Sequence, residues 1–419
     1  MRPLMKALIL ASLSVFATAG YAEDIAITGG TAFTEGGKGK VDNATVLISD
    51  GRIISVVSGA SVPAGYRTVD AKGKWVTVGF MVADSTIGLG EIGGWGDNDD
   101  ATASKAEDTI NLDVAYSFNP ANTIIANTRI EGVTRALTRF SGTKDNWRGT
   151  GAIVQLGTGD MIVKDPAIVG IDLDEDAAGS TGGSRSAMWA AFMAKLDAVK
   201  EKTVKTSKKK DDDEVKLSPS EEILSAVLAG KTPLMITVHR ASDIQNVIRF
   251  KNEYGVQVIV DGGREAWMVA EELARADIPV VLDPVQNLPS RFDELASTGE
   301  NAARLNAAGV KIAFTGPDSH NSRLVVQHAG NAVAMGLPWD AAVDALTVNP
   351  AQIYGIASTY GTLAPGMDAD VVVWDGDPLE VMSSPDAVFI KGSDIPLVSR
   401  QTKLRDRYID IPRSPALKH

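Results

Sequence analysis

The sequence predicts an α/β protein: a (β/α)8 TIM-type barrel beside a small β-sheet domain built from both ends of the chain. Three observations lead there. Short β-type segments broken by turn residues occupy 24–76 and return at 370–390. Between them, most clearly from Leu234 onward, apolar strand-like runs alternate with amphipathic helical stretches. The chain has 419 residues, long enough for one large domain and a small one.

At the first end, Ala44-Thr45-Val46-Leu47-Ile48 runs into the turn Ser49-Asp50-Gly51, and Arg52 to Val57 returns, the pattern of a hairpin. The same texture reappears in Asp370 to Trp374, the turn Asp375-Gly376-Asp377-Pro378 and Ala387 to Ile390. In the middle, strands are expected at Gly79–Ser85, Val133–Leu137, Gly151–Gln155 and Ile168–Leu173, with others starting near Leu234, Val256, Ile278 and Val310. Ser242 to Tyr254 places Ile244, Val247, Ile248 and Lys251 at helical spacing. A helix that returns the chain after each strand builds a parallel sheet, and eight such units close most economically into a barrel. The working face of such a barrel is its C-terminal strand ends.

Two segments interrupt the pattern. Glu91 to Asn127 is rich in Gly, Asp, Asn and Ala and is long for a loop, at a face where loops carry function. Lys205 to Ser220 holds Lys208-Lys209-Lys210 and then Asp211-Asp212-Asp213-Glu214, the composition of a solvated surface loop. The expected division is a leader at 1–22, a composite β-domain from 23–77 and 361–395, a barrel at 78–360 and a tail at 396–419.

The leader reads as a secretory signal: Arg2 and Lys6, an apolar run from Ala7 to Ala19, and a cut after Ala22. That run is short of the ~20 residues a spanning helix needs, so a periplasmic or secreted product without a membrane anchor is expected. No cysteine is present, so no disulfide can form. A net charge of −12 argues against nucleic acid or an anionic membrane surface as partner. The expected partner is a small-molecule substrate or ligand, with a second copy or an active paralogue as a protein partner.

Three stretches resemble the amidohydrolase superfamily, nearest its imidazolonepropionase-like branch. They are Val46–Ile53 with Val69–Phe80; Gly361–Val373, which contains Pro365-Gly366-Met367-Asp368-Ala369-Asp370; and Gly309–Pro350 with Thr315-Gly316-Pro317-Asp318. The resemblance implies a small β-sandwich running into a barrel, and hydrolysis of C–N bonds, often cyclic amides, by one or two divalent metals. It implies an aspartate after strand eight that ligates metal and takes a proton from water; Asp318 holds that position. It also implies metal-binding histidines after strands one, five and six. His239 matches strand five. At strand one, Asp84 and Thr86 stand where two histidines are expected, and strand six offers Asp261.

The chain has four histidines: His239, His320, His328 and His419. The metal candidates are therefore His239, Asp84 and Asp261, a set suited to manganese, calcium or magnesium better than zinc; no metal at all is the other expectation. Thr86, His320 and Arg240 are the candidate substrate contacts. Asp84, Asp261, Asp283 and Asp318 at neighbouring strand ends would repel one another. A cation, shared protons or a basic residue such as Arg240, Arg264 or Arg323 must offset that. Two functions fit: a divergent hydrolase that keeps His239 and Asp318, or an inactive relative that binds a ligand or supports an active paralogue.

Overall fold

The computed structural model describes residues 23–91, 99–208, 216–317 and 319–409. The expected leader lies outside the described residues, as do 209–215 of the charged run and 410–419 of the tail. In chain order, β1 (Ile25–Glu35), β2 (Lys38–Ser49), β3 (Arg52–Ser58), β4 (Arg67–Asp70) and β5 (Trp75–Val78) come first. The middle supplies β6 (Phe80–Val82), β7 (Thr102–Ala103), β8 (Val133–Thr138), β9 (Gly142–Thr143), β10 (Trp147–Gln155), β11 (Ile162–Asp172), β12 (Leu234–Val238), β13 (Val258–Gly262), β14 (Val280–Leu282) and β15 (Ile312–Phe314). β16 (Val371–Trp374), β17 (Pro385–Ile390) and β18 (Ser393–Asp394) follow.

One sheet has the order β18-β17-β16-β5-β1-β2-β3, with β4 alongside β1. Its seam is β16 against β5, with Val371 opposite Val78 and Val373 opposite Val76. All four valines are buried with Ile25, Ile27, Val46 and Ile48 in one cluster. The β2–β3 hairpin turns on Asp50 and Gly51 at φ 48° and 73°, a left-handed pair whose twist matches that of antiparallel strands.

The other sheet has the order β15-β14-β13-β12-β11-β10-β8-β6, which is chain order reversed. Its two edges come together: Ala83 N–H donates to the Phe314 carbonyl at 2.9 Å, and Thr315 Oγ1 donates to the Asp84 carbonyl at 2.7 Å. The sheet is therefore nearly closed. Strand periodicity sorts its side chains into two rows. Met81, Leu137, Ile153, Met235, Ile259, Val281 and Ala313 share one cluster inside. Phe80, Ala136, Val154, Ile236, Val260, Leu282 and Phe314 belong to another, which they share with the surrounding helices.

One expectation fails here. β10 is antiparallel to both β8 and β11, so eight successive strand–helix units are not present. β10 and β11 are longer than the sequence suggested, leaving only 139–146 and 156–161 as connections. Neither holds a helix, and a parallel crossover needs a dozen residues or more. Parallel pairing holds for β6–β8 and from β11 to β15.

The inward row of β8 carries an arginine at each end. Arg135 is fully buried below Leu137, donating from Nε to Asp370 at 2.8 Å and from Nη2 to Asp368 at 2.5 Å. Its guanidinium also lies 4.4 Å from the centre of the Tyr360 ring. Asp368 and Asp370 belong to the turn that leads into β16, so this cluster ties the two sheets together. Arg139 lies at the opposite end of the row.

Candidate active site

A cavity of about 450 Å³ opens at the end of the second sheet where β6, β8, β11, β12 and β15 finish. The inward rows explain how its side chains arrive. Arg139 continues the row of Leu137, Thr237 and His239 continue that of Met235, and Asp261 continues that of Ile259. Asp84 and Thr86 follow β6, Asp172 ends β11, and Asp174 caps the helix Glu175–Ser180 that follows it. Gly90, Asp99 and Ala101 reach the cavity from the insertion after β6, which is fastened by β7 pairing with β9. Arg291 enters from the segment between β14 and β15.

At the cavity floor, Arg139 donates from Nε and Nη2 to the two oxygens of Asp84, at 2.8 Å each. The same Nη2 donates to Asp261 Oδ2 at 2.8 Å. The β12–β13 register sets Thr237 opposite Asp261, and its hydroxyl donates to Oδ2 at 3.0 Å. Arg139 is only 8% exposed and keeps its charge, because the two carboxylates outweigh its burial. Asp261 is pushed up to about 7 by burial and by the neighbouring Asp84, against the downward pull of Arg139.

His239 is buried at the cavity wall and packs on Gly262, where a side-chain Cβ would fall 2.3 Å from the imidazole Cε1. Its Nε2 lies 3.9 Å from Glu294 Oε1, beyond hydrogen-bond reach. Its Nδ1 is buried without a hydrogen-bond partner among the described residues. Burial first, and then the Arg264 guanidinium, lower its pKa, so the ring is neutral at neutral pH.

Of the residues named from sequence, Asp84, Thr86, His239 and His320 line this cavity, and Asp261 joins it through Arg139. Asp318, the expected proton acceptor, lies outside the described residues, between Pro317 and Ser319. Arg240 is not in the lining; it donates to Asp243 at 2.8 Å from the start of helix Ala241–Tyr254. Asp283 is also absent from it, bonded to His328 at 2.7 Å and folded back onto the Val285 N–H. Sequence reading missed Arg139, Thr237, Asp172, Asp174 and Arg291. For Arg139 the signal was available: a charged residue directly after the strand Val133–Thr138.

The amidohydrolase family model matches residues 197–397. An amidohydrolase from Thermotoga maritima MSB8, known as a crystal structure, superposes with a TM-score of 0.79 at 27% identity, covering 90% of this chain and all of that one. The chain is similar to the amidohydrolase superfamily. Amidohydrolase tasK of Hapsidospora irregularis is 27% identical over 177 residues, a match that spans 41% of this chain and 18% of that protein's length. The structure of molinate hydrolase shares the fold, with a TM-score of 0.55 at 18% identity over 94% of this chain and 99% of that one.

Metals serve the amidohydrolase superfamily, and the fit of the residues present decides whether one is held here. They do not fit a divalent ion at the positions the sequence pattern selects. Both oxygens of Asp84 and one of Asp261 are already bonded to Arg139, and Thr86 offers only a hydroxyl. Among the described residues, no group of three His, Cys, Asp or Glu side chains is placed to hold a metal ion.

Proposed function

We propose that this chain is an exported hydrolase of a non-peptide C–N bond in a small molecule, working from the cavity with protein groups alone. The nearly closed sheet is read as a (β/α)8-type barrel with an antiparallel third strand. Residues 23–77 and 361–395 form the β-sandwich domain beside it. The observation that carries the functional reading is that Arg139, Thr237 and the neutral His239 converge on one cavity within a hydrolase-superfamily scaffold.

Each group has a definite task. Nη1 of Arg139 takes no part in the bonds to Asp84 and Asp261, and is the donor left for a substrate carbonyl. His239, being neutral, offers one N–H to the same oxygen without introducing a second charge. Asp318 accepts the proton of the attacking water; the C–O bond forms, the C–N bond breaks, and that proton leaves on the amine. The mouth residues Thr86 and His320 contact the rest of the molecule. The substrate is therefore small, polar and built around a carbonyl.

A second reading rests on a specific observation. The Arg139 charge is already matched by two carboxylates, which weakens it as an electrophile and favours ligand binding without turnover, alone or beside an active paralogue. One experiment separates the two. Cyclic amides, ureas and N-acyl amino acids are screened with chelator present, for thermal stabilisation and for amine release. Turnover that falls by roughly two to four orders of magnitude in Asp318→Asn supports the hydrolase. Stabilisation without amine release supports the binding protein, and turnover unchanged in Asp318→Asn refutes the assigned base. Export is checked by N-terminal sequencing of the secreted product, which should begin at Glu23.

A further inference from the structure

We infer that Arg139 is this site's own cation. Its guanidinium stands between Asp84 and Asp261, where the superfamily's sequence pattern puts metal ligands, and it completes the site without a divalent ion.

The argument starts from charge. Two carboxylates brought together at one end of the sheet need a positive partner, and here one side chain serves both at 2.8 Å. Asp84 is held through both oxygens by the two-pronged edge of the guanidinium, the geometry in which arginine pairs best with a carboxylate. Thr237 fixes Asp261 from its other side. An ion bridging the two aspartates would have to displace this arrangement. Arginine cannot vacate the place by losing its proton, as a buried lysine can. An Arg139 left nearby would repel the incoming ion across a poorly screened gap. The missing histidines at 84 and 86 are therefore only part of the reason for the misfit. Restoring them leaves the guanidinium in place.

This inference rests on the cavity being the working site, but its test needs no substrate. Zinc and manganese binding is measured by calorimetry, with thermal unfolding in parallel. Four proteins are compared: the natural chain, Asp84→His/Thr86→His, Arg139→Gln and the triple variant. The natural chain and the double variant are expected to show no saturable uptake and no ion-dependent stabilisation. Arg139→Gln is expected to take up about one ion per chain, on the order of a hundredfold tighter than the natural chain, and to gain thermal stability from it. The triple variant should bind more tightly still.

Tight uptake by the natural chain would overturn the inference. So would a double variant that binds as well as the triple, or an Arg139→Gln variant indifferent to ions. Arg139→Lys, which keeps a positive charge, guards against simple misfolding and should fold without taking up metal. If Arg139→Lys folds while Arg139→Gln stays unfolded even with ions present, an ion does not substitute for the guanidinium and the inference fails. Failure to find a substrate would count against the proposed hydrolase and leave this result untouched.

Discussion

Replacing Gly262 by alanine puts the site geometry under direct strain. Gly262 sits at φ +83°, a conformation that costs an L-residue roughly 1–2 kcal/mol. The new Cβ would lie 2.3 Å from His239 Cε1 and 2.6 Å from Nδ1, against the roughly 3.5–4.0 Å of an ordinary contact. The ring must shift by more than an ångström in a buried setting, and overpacking of that kind costs about 1–3 kcal/mol more. Gly73 provides the control, at φ +76° with nothing within 4 Å of its Cβ position. Urea unfolding of both variants should therefore show Gly262→Ala more destabilised than Gly73→Ala by about 1–3 kcal/mol. Ligand stabilisation should weaken only in the former. If the two variants lose equal stability, His239 does not lie over Gly262 and the cavity wall is wrongly assigned.

Two further outcomes follow from buried charge. Asp370→Asn and Arg135→Met each break the cluster that joins the sheets and should each cost about 3–5 kcal/mol. The double variant should lose clearly less than their sum, and additive losses by urea unfolding would contradict the pairing. Asp261 sets a pH dependence. Its carboxyl is raised from 3.8 to about 7 in the folded chain, so the native state holds an extra proton between those values. Stability should then fall as pH rises from about 4 to about 7 and level off above, a slope that Asp261→Asn removes. Melting temperatures of both proteins from pH 5 to 8 test this, and an unchanged slope in the variant would assign the proton to another group.

Much of the fold was legible because strand and helix periodicities differ. The β2–β3 hairpin followed from the turn residues Ser49-Asp50-Gly51 between two β-type runs, and the strand starts near Leu234, Val256, Ile278 and Val310 fall within about two residues of β12 to β15. The direction of β10 was not legible. An apolar run marks a strand, but only the length of its connections tells parallel from antiparallel, and those lengths shrank once β10 and β11 proved longer. At the site, Thr86, His239 and His320 lie on the cavity wall, because strand-end positions converge there. Asp283 holds an equivalent position yet turns away, since a short acidic side chain before a proline caps its own turn as readily as it faces a cavity. Arg139 was not legible as the positive partner, because an arginine at a strand end is not a metal-binding residue type and Arg240, Arg264 and Arg323 offered the same charge. Arg291 gave no signal at all: it comes from a segment without periodicity, and only the folded chain brings it to Asp174, at 2.9 Å.

The most direct measurement is anomalous diffraction from crystals of the natural chain grown with millimolar zinc, with data collected on both sides of the zinc edge. The expected map shows no anomalous peak between Asp84 and Asp261, and a guanidinium bonded to both. An anomalous peak there, with Arg139 swung away from the two carboxylates, would contradict a metal-independent site.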